Sequence, residues 1–338
     1  MKALVYQGPW EIVLADRADP QQEAGQTLLR VIATGVCGSD LHGFTGHTGR
    51  RVPDQVMGHE TVARVEQTDP AGSTLSVGDI VVVNPAMSCG ECPACRDGQE
   101  QRCRDLRVIG VVPEWDAAFA ELMVVPTSNC IPLPPDTPEH LGALVEPLAV
   151  GWHAVQRARI RADETVVVIG GGPIGQAVAL GARRAGASHI VVSEGLASRR
   201  DLVRSLGFEA VDPDELGDVT SSAAIGVGTI FDAVGSSASV SQALTLMNRG
   251  GRVVLVGMAD PQLTLAAFEI SVREREIIGT FCYSRADFAS TVDWLASNVD
   301  VAQQLVDAIE PLASGPEVFE QLASYSRDAS KILLSPNA

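Results

Sequence analysis

Four cysteines at Cys89, Cys92, Cys95 and Cys103, spaced C-x2-C-x2-C-x7-C, follow a separate group made of Cys37 and the pair His59-Glu60. The two groups imply two zinc ions with different duties. Four thiolates close the shell of a structural zinc, whereas a mixed set of thiolate, imidazole and carboxylate suits a catalytic zinc with one open position. A second acid, Glu146, begins Glu146-Pro147-Leu148-Ala149 and offers a further oxygen ligand. The alternative for the four-cysteine lobe is a pair of disulfides. Against that, Met1–Tyr6 runs into Gly8-Pro9 with no long apolar segment, so no export signal is read and a reducing cytoplasm is expected. Clustered cysteines there read as metal ligands. Cys130 and Cys282 stand alone and read as small hydrophobes.

A second kind of chemistry is written farther along. Gly170-x-Gly172-x-x-Gly175 directly follows the apolar run Val166–Ile169 and, with Pro173 and Ile174 inside it, begins a helical stretch. The first glycine permits the tight turn, the second lets backbone amides approach a pyrophosphate, and the third lets helix and strand pack closely. The phosphate then sits at the positive end of the helix. Glu194 ends the next strand, near the ~20-residue offset of an acid that bonds ribose hydroxyls. A carboxylate there favours NAD over NADP, because it repels a 2′-phosphate. Arg199 and Arg200 lie just beyond and are able to accept that phosphate, which keeps NADP as the second choice.

The elements that must hold these residues change in texture along the chain. At 338 residues it exceeds the usual span of one core, so two domains are expected. The first third has short β-like runs broken by glycine and proline: Ala3–Tyr6, Thr27–Ile32, Thr61–Glu66, Asp79–Val83 and Phe119–Val125. They predict a mostly antiparallel β domain. A helical stretch, Glu139–Ala154, leads to Val166–Ile169, an apolar run without alternation that fits a strand buried on both faces. Helices at Gln176–Ala185, Ser198–Leu206 and Ser239–Met247 then alternate with strands at Ile190–Ser193, Thr229–Ala233 and Arg252–Val256. That order describes a parallel sheet of βαβ units. The tail, with Phe288–Ala296 helical and Ile332–Leu334 apolar, fits either domain.

Composition narrows the partners. A net charge of −17 argues against nucleic acid, which needs clustered Lys and Arg, and against anionic membranes. No apolar run is long enough to span a bilayer. Arg50 and Arg51, in a loop near the first metal group, read as a solvated loop rather than a phosphate site; His153 and His189 read as packed or surface side chains.

With Cys37-Gly38-Ser39-Asp40-x-His42, Gly58-His59-Glu60, Val77-Gly78-Asp79-x-Val81, the four-cysteine lobe, Glu146-Pro147 and the glycine fingerprint in this order, the chain resembles the zinc-dependent medium-chain alcohol dehydrogenase family over essentially its whole length. Within it, the likeness is to the polyol, butanediol and threonine dehydrogenase branch. The resemblance implies an α/β protein: a GroES-like, mostly β catalytic domain over 1–147 and 284–338, with its zinc lobe at about 86–105, and a Rossmann NAD-binding domain over 148–283. It places the active site in the cleft between them. Cys37 and His59 would be fixed ligands of the catalytic zinc, with Glu60 and Glu146 exchanging with water or substrate. Ala63 stands where relatives carry glycine. Gly43 and Cys282 replace an aromatic and an arginine of animal sorbitol dehydrogenases, which turns the reading away from sorbitol.

The expected activity is hydride transfer between a secondary alcohol or polyol and NAD(P), in a cytoplasmic homodimer or homotetramer acting on small alcohols or ketones. The proton would leave through the Ser39 hydroxyl and, via the cofactor ribose, to His42, whose ordinary pKa is near neutral; Asp40 would fix the loop. An amino-alcohol dehydrogenase of the threonine or aminocyclitol kind is the alternative enzyme. A non-catalytic nucleotide-binding sensor is the alternative outside enzymes, and it has no need of an open metal position.

Overall fold

The computed structural model describes residues 1–47, 49–222 and 227–338, with backbone alone for 220–222. The chain divides into two units, Met1–Glu146 with Ser284–Ala338, and Pro147–Tyr283.

The first unit is built on β-structure. Its seven-stranded sheet runs Cys130–Pro132, Ile80–Val83, Glu60–Gln67, Gln26–Gly35, Ile332–Ser335 and Ala308–Pro311, with Leu122–Pro126 also paired to Gln26–Gly35. Ala308–Pro311 and Ile332–Ser335 lie parallel, and the other neighbours are antiparallel. A three-stranded sheet sets Lys2–Gly8 between Glu11–Asp16 and Gln55–Val56. The strand expected from Phe119 begins only at Leu122. Phe119 is taken up elsewhere: its N–H bonds Met57 O at 2.9 Å and its carbonyl accepts Leu4 N at 2.8 Å.

The tail belongs to this unit. Ile332–Ser335 inserts beside Gln26–Gly35, and helix Gly315–Ala323 brings Phe319 between Phe44 and Phe119. The two ring pairs meet edge-on, with centroids 5.5 and 5.4 Å apart. Such pairs add roughly 0.5–1.5 kcal/mol each beyond the area they bury.

The stretch expected as one helix from Glu139 is a 3₁₀ segment, Glu139–Leu144, followed by the helix Val145–Ala158. Pro147 sits in its first turn, where a missing N–H costs nothing. In the second unit six parallel strands, Thr165–Ile169, His189–Ser193, Glu209–Val211, Val227–Asp232, Met247–Leu255 and Glu276–Gly279, take the spatial order 3-2-1-4-5-6. This is a Rossmann sheet, and its strand order reverses beside Thr165–Ile169. Val166, Val167 and Val168 are wholly buried, as their unbroken apolar run predicts. Both edge strands went unpredicted; each is short and carries a charged residue. Among the described residues no helix is long and apolar enough to cross a membrane.

Candidate functional site

Strand geometry assembles the first metal group. Cys37 follows strand Gln26–Gly35 and precedes the helix Gly38–Phe44, while His59 and Glu60 lead into Glu60–Gln67. Gly58, just before His59, has φ +105°, and a Cβ there would meet Phe119 N at 2.8 Å, so glycine is required. Gly35 pairs with Glu60 on one side and with Leu333 on the other. A Cβ on Gly35 would overlap the Glu60 carboxylate; its absence gives that group its space. Lys331, just before the last strand, fills the remaining side. Its Nζ donates to Glu60 at 2.8 and 2.6 Å and to Val36 O at 3.2 Å.

One ligand atom from each of Cys37, His59 and Glu60 lies within 4.8 Å of the other two. Thiolate, imidazole and carboxylate at this spacing fit a zinc ion. The His59 ring has Ser39 Oγ 3.4 Å from Nε2 and Asp40 Oδ1 3.5 Å from Nδ1. Asp40, fully buried, also accepts the Cys37 N–H at 3.2 Å, a bond that ties down its own loop as expected. Ligating histidines are commonly oriented by a carboxylate on the second ring nitrogen. Glu146 is buried at the first turn of its helix, but its carboxylate is outside the 4.8 Å group.

Electrostatics also suit a cation. Burial opposes a charge on His59, yet Asp40 and Cys37 outweigh it and raise its pKa well above the usual histidine range. Burial likewise opposes the charge on Lys331, but Glu60, Cys37 and Glu146 raise it above its ordinary value. Ser39 and His42 share the short helix after Cys37. Burial, and then the neighbouring His47, lower the His42 pKa, which keeps the ring neutral and able to accept a proton.

Arg51 is not part of a solvated loop: its side chain is 3% exposed and reaches Asp40. Neither Arg51 nor Lys331 was foreseen as part of this site. For Lys331 a signal existed, a lone cation leading the apolar run Ile332–Leu334. His153 is packed, and His189 lies at the surface against Glu209, 2.7 Å away.

The four-cysteine lobe is closed at its base by the antiparallel pair Ala86–Met87 and Arg107–Val108. Sulfur distances are 3.9 Å for Cys89–Cys95 and 3.5 Å for both Cys92–Cys95 and Cys89–Cys103. All four sulfurs lie within 4.8 Å of one another, which fits a closed zinc site with four thiolate ligands. Backbone amides of Cys89 and Cys92 point at sulfurs, each at 3.4 Å. The Cys95 amide leads the effects that lower Cys92 to about 7, while burial pushes Cys95 up to about 11.

In the second unit Gly170 turns at φ +96°, and a Cβ on Gly175 would overlap Gly170 O. Gly172 caps the helix Pro173–Arg184, with Pro173 and Ile174 in its first turn. Glu194 folds onto this loop, accepting Gly171 N at 2.9 Å and Leu196 N at 2.8 Å. Arg199 Nη1 lies 3.7 Å from where a Gly172 Cβ would be. Arg200 is turned away, bonding the Glu194 and Gly195 carbonyls and pairing with Asp212 at 3.1 Å.

A β unit with a mixed-ligand metal group, joined to a Rossmann unit with a phosphate-binding glycine loop, defines a nicotinamide-dependent dehydrogenase of the medium-chain type. The chain belongs to the zinc-dependent alcohol dehydrogenase family: residues 23–135 match the alcohol dehydrogenase GroES-like domain and 173–297 the zinc-binding dehydrogenase domain. It is 32% identical to a 2-dehydro-3-deoxy-L-galactonate 5-dehydrogenase of Pseudoalteromonas atlantica, over 89% of each chain. It is 30% identical to the L-galactonate-5-dehydrogenase of Escherichia coli, over 98% of each. A crystal structure of a Sinorhizobium meliloti zinc-binding dehydrogenase bound to NADP superposes with a TM-score of 0.88 at 29% identity, covering 99% of both chains.

Proposed function

We propose that this protein oxidises a secondary CH–OH group of a polyol or sugar acid, or reduces the matching ketone, with NAD as the preferred partner. The observation that carries this reading is the gathering of Cys37, His59 and Glu60 within 4.8 Å, in a chain that also has a glycine phosphate loop. Relatives named for galactonate and its dehydro-deoxy derivative support the sugar-acid side.

Cys37 and His59, with Glu60 or Glu146, would hold a zinc that polarises the substrate C–O bond, and the nicotinamide would exchange the hydride. The chain's own residues arrange the rest. Ser39, whose Oγ lies 3.4 Å from His59 Nε2, would take up the proton of the substrate hydroxyl. His42, whose pKa is lowered by burial, would receive that proton by way of the cofactor ribose and pass it outward. Lys331 neutralises Glu60, so this buried acid does not add a second uncompensated charge. Cys89, Cys92, Cys95 and Cys103 would hold the second zinc, which stabilises the lobe and has no part in the reaction.

Preference for NAD rests on Glu194, whose carboxylate lies on the glycine loop and would repel a 2′-phosphate. Arg199 beside Gly172 works the other way. Cysteines kept as metal thiols suit the cytoplasm, and a homodimer or homotetramer is the form we expect in solution.

The test is reduction of NAD and NADP by the zinc-loaded protein over sugar acids, polyols, diols and threonine. Faster turnover of a sugar acid or polyol with NAD supports the proposal; threonine as the best substrate would replace it with the amino-alcohol reading. Glu194→Gln should weaken NAD more than NADP, and equal effects would remove the basis of the cofactor assignment.

A further inference from the structure

Arg51 approaches the first metal group across the helix Gly38–Phe44. Its stem passes over Gly43, where a Cβ would lie 2.7 Å from Arg51 Cγ and 2.8 Å from Nε. That passage exists because residue 43 is glycine. The head is then held from three directions. Nε donates to Met57 Sδ at 3.1 Å, Nη1 donates to Val111 O at 2.9 Å, and Nη2 lies 3.6 Å from Asp40 Oδ1. The Val111 carbonyl also accepts from Gln55 at 3.2 Å, which fixes the loop carrying Arg51. Asp40 Oδ1 and His59 Nδ1 are both buried, 3.5 Å apart, and have no hydrogen-bond partner at normal distance. One carboxylate oxygen therefore faces both the guanidinium and the imidazole.

We propose that Arg51 is the positioning residue of this metal centre: pinned across Gly43, it holds Asp40 in place, and Asp40 sets the His59 ring. The inference rests on the zinc reading of Cys37, His59 and Glu60. A metal-bound histidine carries no charge of its own, and Arg51 is the cationic side chain that faces Asp40 directly, 3.6 Å from Oδ1. A carboxylate buried without a cation beside it is strongly disfavoured. Arginine suits the task because its planar fork bonds Met57 and Val111 at once and so has one orientation; a lysine ammonium is a point charge on a flexible stem.

The experiment measures zinc affinity of the first metal group by chelator competition, with the lobe zinc as internal reference, and the visible spectrum of the cobalt-substituted protein. Arg51→Met should weaken zinc about tenfold or more and shift the cobalt bands, within the ~10–100-fold range for residues that orient ligands. In an Asp40→Asn background the same change should do nothing further, because no carboxylate remains to be held. Equal losses in both backgrounds, or none in the wild-type background, overturn the proposal. Gly43→Ala, which displaces an intact arginine, should reproduce the loss, and normal affinity in that variant also overturns it. If Arg51→Met does not fold, Arg51→Lys is judged against Asp40→Asn in the same way. Wild-type protein that binds no zinc at Cys37, His59 and Glu60 would instead sink the underlying zinc reading.

Discussion

The two metal groups are solved in opposite ways. The lobe uses four identical donors contributed within 15 residues, from exposed Cys89 to buried Cys95 and Cys103, with backbone amides aimed at sulfurs. The other group takes three unlike donors from two segments, with His59 and Glu60 buried and Cys37 half-buried, and surrounds them with charged side chains that are not ligands: Asp40, Arg51 and Lys331. Four thiolates satisfy the ion by themselves, which suits a site that only has to hold a loop. A site that must leave one position open has spare charge to balance, so its neighbours carry as much of the design as its ligands.

Breaking each group separately tests this contrast. Cys37→Ser should have the largest effect, lowering turnover more than about 100-fold, because losing a ligand must exceed the loss from residues that only orient one. Nucleotide binding, followed by fluorescence titration, and the lobe zinc should both survive; turnover near the wild-type level would undo the division of labour. Lys331→Met comes next. It leaves Glu60 buried without its cation, and a charge stranded in this way costs roughly 3–5 kcal/mol. Denaturant unfolding of metal-free protein should show that loss, and added zinc should restore more stability to the variant than to wild type. A variant as stable as its parent would mean that the Lys331–Glu60 pair does not balance the site. Cys92→Ser should remove one of two zinc ions and lower the melting temperature while NAD affinity holds. Full zinc content with an unchanged melting temperature would count against a structural lobe.

Cys130, outside both groups, sharpens the comparison with a thiol that has no metal to serve. Burial alone pushes it up to about 12. Its folded pKa lies above the unfolded value of ~8.5, so its contribution is whole below that pH and is lost as pH rises through about 12. At pH 10 the loss amounts to about 2 kcal/mol, and Cys130→Ala should flatten the alkaline limb of the stability curve by that much. An identical limb in the variant would mean that this thiol ionises freely.

What could be read in the sequence follows the same division. The lobe and the glycine loop are local, with every functional atom within about two dozen residues, so spacing alone exposes them. Cys37 and His59-Glu60 were legible because they sit in short motifs. Arg51 and Lys331 were not, since their roles depend on strand pairing and on the missing side chain at Gly43. A surface loop with two arginines looks the same in sequence whether or not one of them turns inward. Gly43 itself was read only as a departure from animal sorbitol dehydrogenases, and in the structure the Arg51 stem packs over it. In the fold, long buried strands announced themselves, while Glu209–Val211 and Glu276–Gly279 are too short to show a period.

The place of Lys331 has a consequence for how the protein is made. Glu60 and its cation are 271 residues apart. At roughly 5–20 residues per second of synthesis, Glu60 leaves the ribosome about 15–50 s before its partner exists. The Rossmann unit, Pro147–Tyr283, is complete by then. Glu60 therefore waits for its cation until Lys331 has been made, well after the Rossmann unit, and a chain cut before Lys331 leaves that carboxylate without its partner.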